Sequence, residues 1–167
     1  MPAPTIIHFS AIQEPDTSTY PNETELLTIS APFARALGLH HLAIHHEVLP
    51  PGRRSSYPHA HESEDEFVYI IEGAPDLWLD GVLHRLKPGD GVGFPAGTGQ
   101  AHCLINNTAA PAVLLVVGEP ARVHARLHYP LHPERNEVAR AANRHWVDDR
   151  PEPPLGPHDG RPDALKP

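Results

Sequence analysis

Short apolar runs separated by turn signals dominate the pattern of this chain. Residues 66–71 (EFVYII) alternate, with Glu66, Val68 and Ile70 on one face and Phe67, Tyr69 and Ile71 on the other, because strand side chains alternate with period 2. Residues 77–79 and 82–86 are apolar runs joined by Asp80-Gly81. Both positions of that dipeptide tolerate positive φ, which predicts a hairpin. Residues 92–94, 101–106 and 112–118 read as further strands, divided by 95–99 (PAGTG) and 107–111 (NTAAP). On the strand 101–106, His102, Leu104 and Asn106 share a face and Cys103 and Ile105 the other.

Ahead of this region, residues 39–49 read as a strand with Leu42, Ile44 and Val48 on one face and His41, Ala43, His45 and Glu47 on the other. Residues 5–9 and 25–29 are short strand candidates. Residues 30–38 (SAPFARALG) suit one or two helical turns, with Ser30 as cap, Pro32 in the first turn and Gly38 past the end. Near the C-terminus, residues 133–145 predict a helix that starts on Pro133. Residues 148–167 hold six prolines and two glycines, which predicts an extended arm. The organisation is an N-terminal extension (1–21), a β region (22–127) and a C-terminal helix and arm (128–167) packed on the β region or on a partner subunit. Many short strands with frequent turns favour an all-β sandwich or barrel.

The 167 residues fit one domain, and 21 prolines leave room for few long helices. A net charge of −8, with basic residues scattered, argues against a nucleic-acid surface. One cysteine, Cys103, excludes an intrachain disulfide. No basic leader with a long apolar core opens the chain, and no apolar run approaches the roughly 20 residues of a membrane span. The expectation is a cytoplasmic protein with no membrane and no nucleic-acid partner.

Candidate chemistry gathers in residues 52–73 (GRRSSYPHAHESEDEFVYIIEG). His59 and His61, one residue apart on extended backbone, point the same way, as two ligands of one metal ion do. Glu66 opens the following strand and can supply a carboxylate; Glu64 is the alternative, while Glu62 and Asp65 read as solvated loop charges. A third histidine, His102, stands in residues 89–106 (GDGVGFPAGTGQAHCLIN). Three imidazoles and one carboxylate suit several divalent transition metals without choosing among them.

These two stretches resemble the paired motifs of the cupin superfamily. The first motif falls on Gly52, His59, His61, Glu66 and Gly73, and the second on Gly89, Pro95, Gly97, His102 and Asn106. Six residues separate Gly52 from His59 where the motif has five. Four separate Gly97 from His102 where it has two, and Gly99 can take the place of the usual glycine. The resemblance implies an all-β double-stranded β-helix, or jelly-roll barrel, with one metal (Zn, Fe, Mn or Ni) held by His59, His61, Glu66 and His102. It also implies a homodimer and a small-molecule ligand. The expected function is a metalloenzyme of dioxygenase, isomerase or decarboxylase type acting on a small polar molecule; a non-catalytic binding or sensing module is the alternative. Tyr57, Arg53 and Asn106 are candidate substrate contacts. One of His45 and His46 must point inward as a core or pocket histidine. Cys103, Trp78 and Trp146 are expected to pack.

Overall fold

The computed structural model describes residues 5–120 and 125–166; positions 1–4, 121–124 and 167, which the expected extension, β region and arm include, lie outside the described residues. The elements in chain order are β1 (Ile29–Pro32), α1 (Phe33–Leu37), β2 (Ala43–Leu49), β3 (Ala60–His61), β4 (Glu66–Glu72), β5 (Asp76–Leu79), β6 (Val82–Arg85), β7 (Gly91–Phe94), β8 (His102–Ile105), β9 (Ala112–Gly118), β10 (Leu127–His128) and α2 (Pro133–Ala141). A five-stranded sheet runs β1-β2-β9-β4-β7, a three-stranded sheet runs β6-β5-β8, and β10 pairs β3. The pairings are antiparallel. This is the all-β, double-stranded β-helix architecture expected from the strand spacing and the resemblance.

Antiparallel partners project to the same side of a sheet, so the register names the inner face of the large sheet. Glu47 lies opposite Leu114 and Leu49 opposite Ala112, while Val68 and Ile70 lie opposite Val116 and Leu114. Leu49, Val68, Ile70, Ala112 and Leu114 meet Leu77 and Leu104 of the small sheet in one buried cluster. The outer face of the small sheet is also covered. Trp78, Cys103 and Ile105 form a second cluster with Ala60, Ala101 and Trp146, so Cys103, Trp78 and Trp146 pack as expected.

That cover is the C-terminal arm. Trp78 Nε1 donates to His158 O at 2.9 Å, Gly156 N donates to Asp80 O at 2.7 Å, and His158 N donates to Gly81 O at 3.0 Å. The arm therefore seats on the β5–β6 hairpin, whose turn residues Asp80 (φ 45°) and Gly81 (φ 85°) are both left-handed, as the Asp-Gly signal requires. Arg54 ties a third strand of chain to the arm: it pairs with both oxygens of Glu25 and donates to Gly160 O at 2.8 Å.

Four local expectations give way, the first being the strand expected over 39–49, which begins only at Ala43. Residues 5–9 form no strand; Phe9–Ala11 is a 3-10 turn whose His8 side chain accepts from Ser10 N, and Phe9 stacks on His46 outside the sheet. The strand expected at 25–29 begins only at Ile29 and runs on to Pro32, because Ser30, Ala31 and Pro32 find partners in Glu47, His46 and His45. Ser30 is thus a strand residue rather than a cap, and α1 starts after Pro32, ending on left-handed Gly38. Finally, α2 stops at Ala141, short of the expected residue 145, where Asn143 turns left-handed at φ 56°.

A Cβ on Gly81 would lie 2.4 Å from Gly156 O in a left-handed backbone. Gly81→Ala is expected to lower unfolding stability by about 2 kcal/mol. It should also speed limited proteolysis within 148–166. Unchanged cleavage would mean that the arm does not depend on this contact.

Candidate metal centre

The centre is assembled by one backbone bridge. His59 and His102 sit directly opposite in an antiparallel bridge, with His59 N donating to His102 O at 3.2 Å and His102 N donating to His59 O at 3.0 Å. Opposed residues share a face, so both imidazoles turn the same way. His61 joins them by period 2, its ring centroid 4.8 Å from that of His59 and 5.6 Å from that of His102. Glu66 enters from β4, with Oε2 at 3.4 Å from His61 Nε2 and Oε1 at 3.7 Å from His102 Nε2. One donor atom from each of the four lies within 4.8 Å of the others.

The rings are aimed from behind. His59 Nδ1 donates to Tyr57 O at 2.8 Å, His61 Nδ1 meets Glu64 Oε2 at 3.2 Å, and His102 Nδ1 lies 3.4 Å from Gln100 O. Holding Nδ1 leaves Nε2 free as a ligand atom, the usual division of labour at histidine-metal sites. Phe94, opposite Glu66 in the β4–β7 pairing, stacks on the His102 ring at 3.6 Å and fixes its plane. Glu64 lies on the Nδ1 side of His61, with its Oε1 buried and without a hydrogen-bond partner. The Nε2 atoms of His61 and His102 are buried without a hydrogen-bond partner, and such atoms are costly unless something occupies the space between them. The residues present fit a divalent transition metal of nitrogen and oxygen preference.

The electrostatics agree. Burial, reinforced by the neighbouring His61 and His102, pushes His59 down to about 3. Burial also opposes a charge on His61, but the adjoining carboxylates of Glu64 and Glu66 outweigh it and hold His61 up at about 9. Burial raises Glu66, yet the adjoining imidazoles of His102 and His61 win and keep its carboxyl well below the usual range. The cluster draws positive charge towards its two carboxylates, and a divalent cation answers that demand.

One wall of the same interior is polar, and the alternation left its direction open. His45 and Glu47 stand on the inner face of β2, in line with fully buried Leu49. His45 Nδ1 is 2.9 Å from Ser30 Oγ, and the Thr28 side chain favours the charged form of the Glu47 carboxyl. His45 is thus the inward member of the pair. Burial raises Glu47 to about 7, helped by the charge of Glu66 and opposed by Thr28. Parity with Leu49 was the signal that could have named Glu47.

The three candidate substrate contacts have other partners. Arg53 pairs with both oxygens of Asp16, at 2.6 and 3.0 Å, and donates to Leu27 O. Asn106 is fully buried; its Nδ2 donates to Leu49 O and Ala110 O, and its Oδ1 accepts from Thr108. It locks the β8–β9 turn. Tyr57 is sandwiched between Tyr20 and His132 under the Arg54 guanidinium. Of the loop acids, Glu62 pairs with Arg126 at 3.1 Å and Asp65 accepts from Ala96 N at 2.7 Å. Both stay in the loop as charges outside the cluster, Asp65 exposed and Glu62 half-buried.

Two facing antiparallel sheets with three imidazoles and a carboxylate at one end define a double-stranded β-helix protein with a candidate metal centre. Residues 45–118 match the family described as "Cupin domain". Among solved structures, a protein of Silicibacter pomeroyi described as a sugar phosphate isomerase from a cupin superfamily is 38% identical, over 61% of this chain and 64% of its own, at a TM-score of 0.59. A protein of Acidithiobacillus ferrooxidans, also described in terms of sugar phosphate isomerase, is 32% identical over 62% of this chain and 65% of its own, at 0.59. In both, the match takes in less than two thirds of the other chain. The polyketide cyclase RemF of Streptomyces resistomycificus shares the fold, at 20% identity over 72% of this chain and 82% of its own, with a TM-score of 0.60. No curated protein matches the chain. Among the described residues no helix is long and apolar enough to cross a membrane.

Because the folded protein holds a proton on Glu47 up to about pH 7 while the unfolded chain loses it near 4.5, the folded state binds more protons between these values. Glu47's own contribution to the stability of the metal-free protein should therefore fall as pH rises through that window, by on the order of 3 kcal/mol, against the opposite contribution of His59, whose pKa is held down to about 3. In chemical denaturation run at pH 4.5 and 7.5, Glu47→Gln should shift the change in stability between the two pH values towards a rise relative to wild type. An identical change in wild type and variant would remove Glu47 as a contributor.

Proposed function

We propose that this protein is a metal-dependent cupin enzyme of the isomerase kind, acting on a small polar, phosphorylated substrate. The observation that carries the reading is the convergence of His59, His61, Glu66 and His102, with their donor atoms within 4.8 Å. The likeness to the Silicibacter pomeroyi protein at 38% identity favours isomerisation of a sugar phosphate over oxidation or decarboxylation. When bound, one divalent ion (Zn, Fe, Mn or Ni) supplies Lewis acidity to a substrate oxygen.

The chain's own groups do the rest. Glu64, Tyr57 O and Gln100 O orient the imidazoles. Glu47, with its pKa near neutrality, is suited to take a proton from one substrate carbon and return it to the next. Leu114, Val116 and Val68 keep the floor of the site apolar and exclude water. The outer face of β4, where Phe67, Tyr69 and Ile71 are each about 40% exposed, supports assembly as a homodimer through that sheet.

Protein purified without a histidine tag should carry or take up close to one equivalent of a transition metal. His61→Ala with His102→Ala should abolish uptake, and Glu64→Gln should weaken it by about 10–100-fold. The metallated protein should exchange a substrate C–H proton with deuterated water, read by NMR across a panel of sugar phosphates, and Glu47→Gln should slow that exchange by about 100-fold or more. Failure to bind any transition metal would end the reading.

A further inference from the structure

Beside the histidines the chain builds a cationic cleft that the metal centre does not use. Tyr129 follows β10 and brings its ring centroid to 5.8 Å from that of His59. Asn136 of α2 clamps it there: Tyr129 N donates to Asn136 Oδ1, and Asn136 Nδ2 donates to Tyr129 O, both at 2.9 Å. The preceding residue, Arg135, lies over the Tyr20 ring at 4.5 Å, and Tyr20 meets Tyr129 edge-on.

Arg135 is only 9% exposed, and its Nε is buried without a hydrogen-bond partner. The acids of its own helix are committed elsewhere, Glu134 to His132 at 3.0 Å and Glu137 to Arg140. A guanidinium taken out of water without a counter-charge loses more than one aromatic face returns. Arg135, Arg144 and Tyr129 line a cleft of about 140 Å³ whose wall contains no acidic residue. Arg144 is fixed by its Nε donating to Ala125 O at 3.1 Å. In a chain of net charge −8, two arginines lining one small cavity that has no acidic residue in its wall mark a place for an anion.

We infer that this cleft is a phosphoryl-binding subsite: Arg135 and Arg144 hold the phosphate of a small phosphate monoester, and Tyr129 separates it from His59. Planar guanidinium forks match tetrahedral oxyanions, and the volume admits a phosphate and little more. The anion site stands on the cleft alone; only its service to the substrate rests on the function proposed above.

The test is calorimetric titration of metal-free and metal-loaded protein with inorganic phosphate and with glycerol 3-phosphate, at constant ionic strength. Both probes should bind, with or without metal. Arg144→Gln should weaken both by tenfold or more while metal uptake stays at the wild-type level, and Arg135→Gln should match it where the variant folds. Absence of binding, or binding that requires metal and survives Arg144→Gln, overturns the cleft. Binding of free phosphate without the monoester overturns its assignment to substrate. Loss of the metal reading would show separately, as failed metal uptake with phosphate binding intact.

Discussion

The antiparallel bridge between His59 and His102 is the contact on which the rest of the site depends. Two hydrogen bonds close a circuit of 42 intervening residues that contains β3 to β7. The bridge makes two imidazoles face one way, because opposed strand residues share a side. His61 follows from His59 by period 2 alone. Only Glu66 comes from the other sheet, and it arrives by the register that sets it opposite Gly118 on one side and Phe94 on the other. A one-residue slip of β4 would turn Phe67 inward and Glu66 outward. The buried set Val68 and Ile70 opposes that slip, so core packing and site geometry enforce the same register.

The second dependence is on the arm. The three-stranded sheet presents Trp78, Cys103 and Ile105 on its outer face, and these would be an apolar patch without cover. Trp146 and the segment from 155 to 162 cover them. Since β8 carries His102 on one face and Cys103 and Ile105 on the other, the strand that supplies the third ligand is packed from both sides. Rigidity behind the ligand comes from the part of the chain that looks least regular in sequence.

The strands, the Asp-Gly hairpin and the spacing of the ligands were legible because each rests on short-range rules: period 2, left-handed turn residues, and a glycine-bounded motif. Glu66 was separable from Glu62 and Asp65 because it opens the strand whose face it shares with Val68 and Ile70, while those two precede it in the loop. The rest depends on partners far along the chain. Ser30 reads as a cap until β2 offers it a strand edge. Arg53 and Asn106 read as site residues, but Asp16 and the 107–110 turn claim them. Nothing local to residues 45–47 says which side faces inward; Leu49 says it, and only once the core is known.

The polar groups form a gradient through the interior. Glu64 and Glu66 surround His61 and make that end of the cavity strongly attractive to a cation. Arg135 and Arg144 do the opposite beyond Tyr129. Glu47 sits on the remaining wall, uncharged at mildly acidic pH and ionising near neutrality. A molecule with an anionic head and a polarisable carbonyl or hydroxyl is the one whose charges match this order. Neutral sugars would leave the arginines unanswered, and a simple dication alone would leave them unanswered too. Under the function proposed above, a ligand that is anionic at one end and coordinating at the other would answer both the metal centre and the cleft beyond Tyr129.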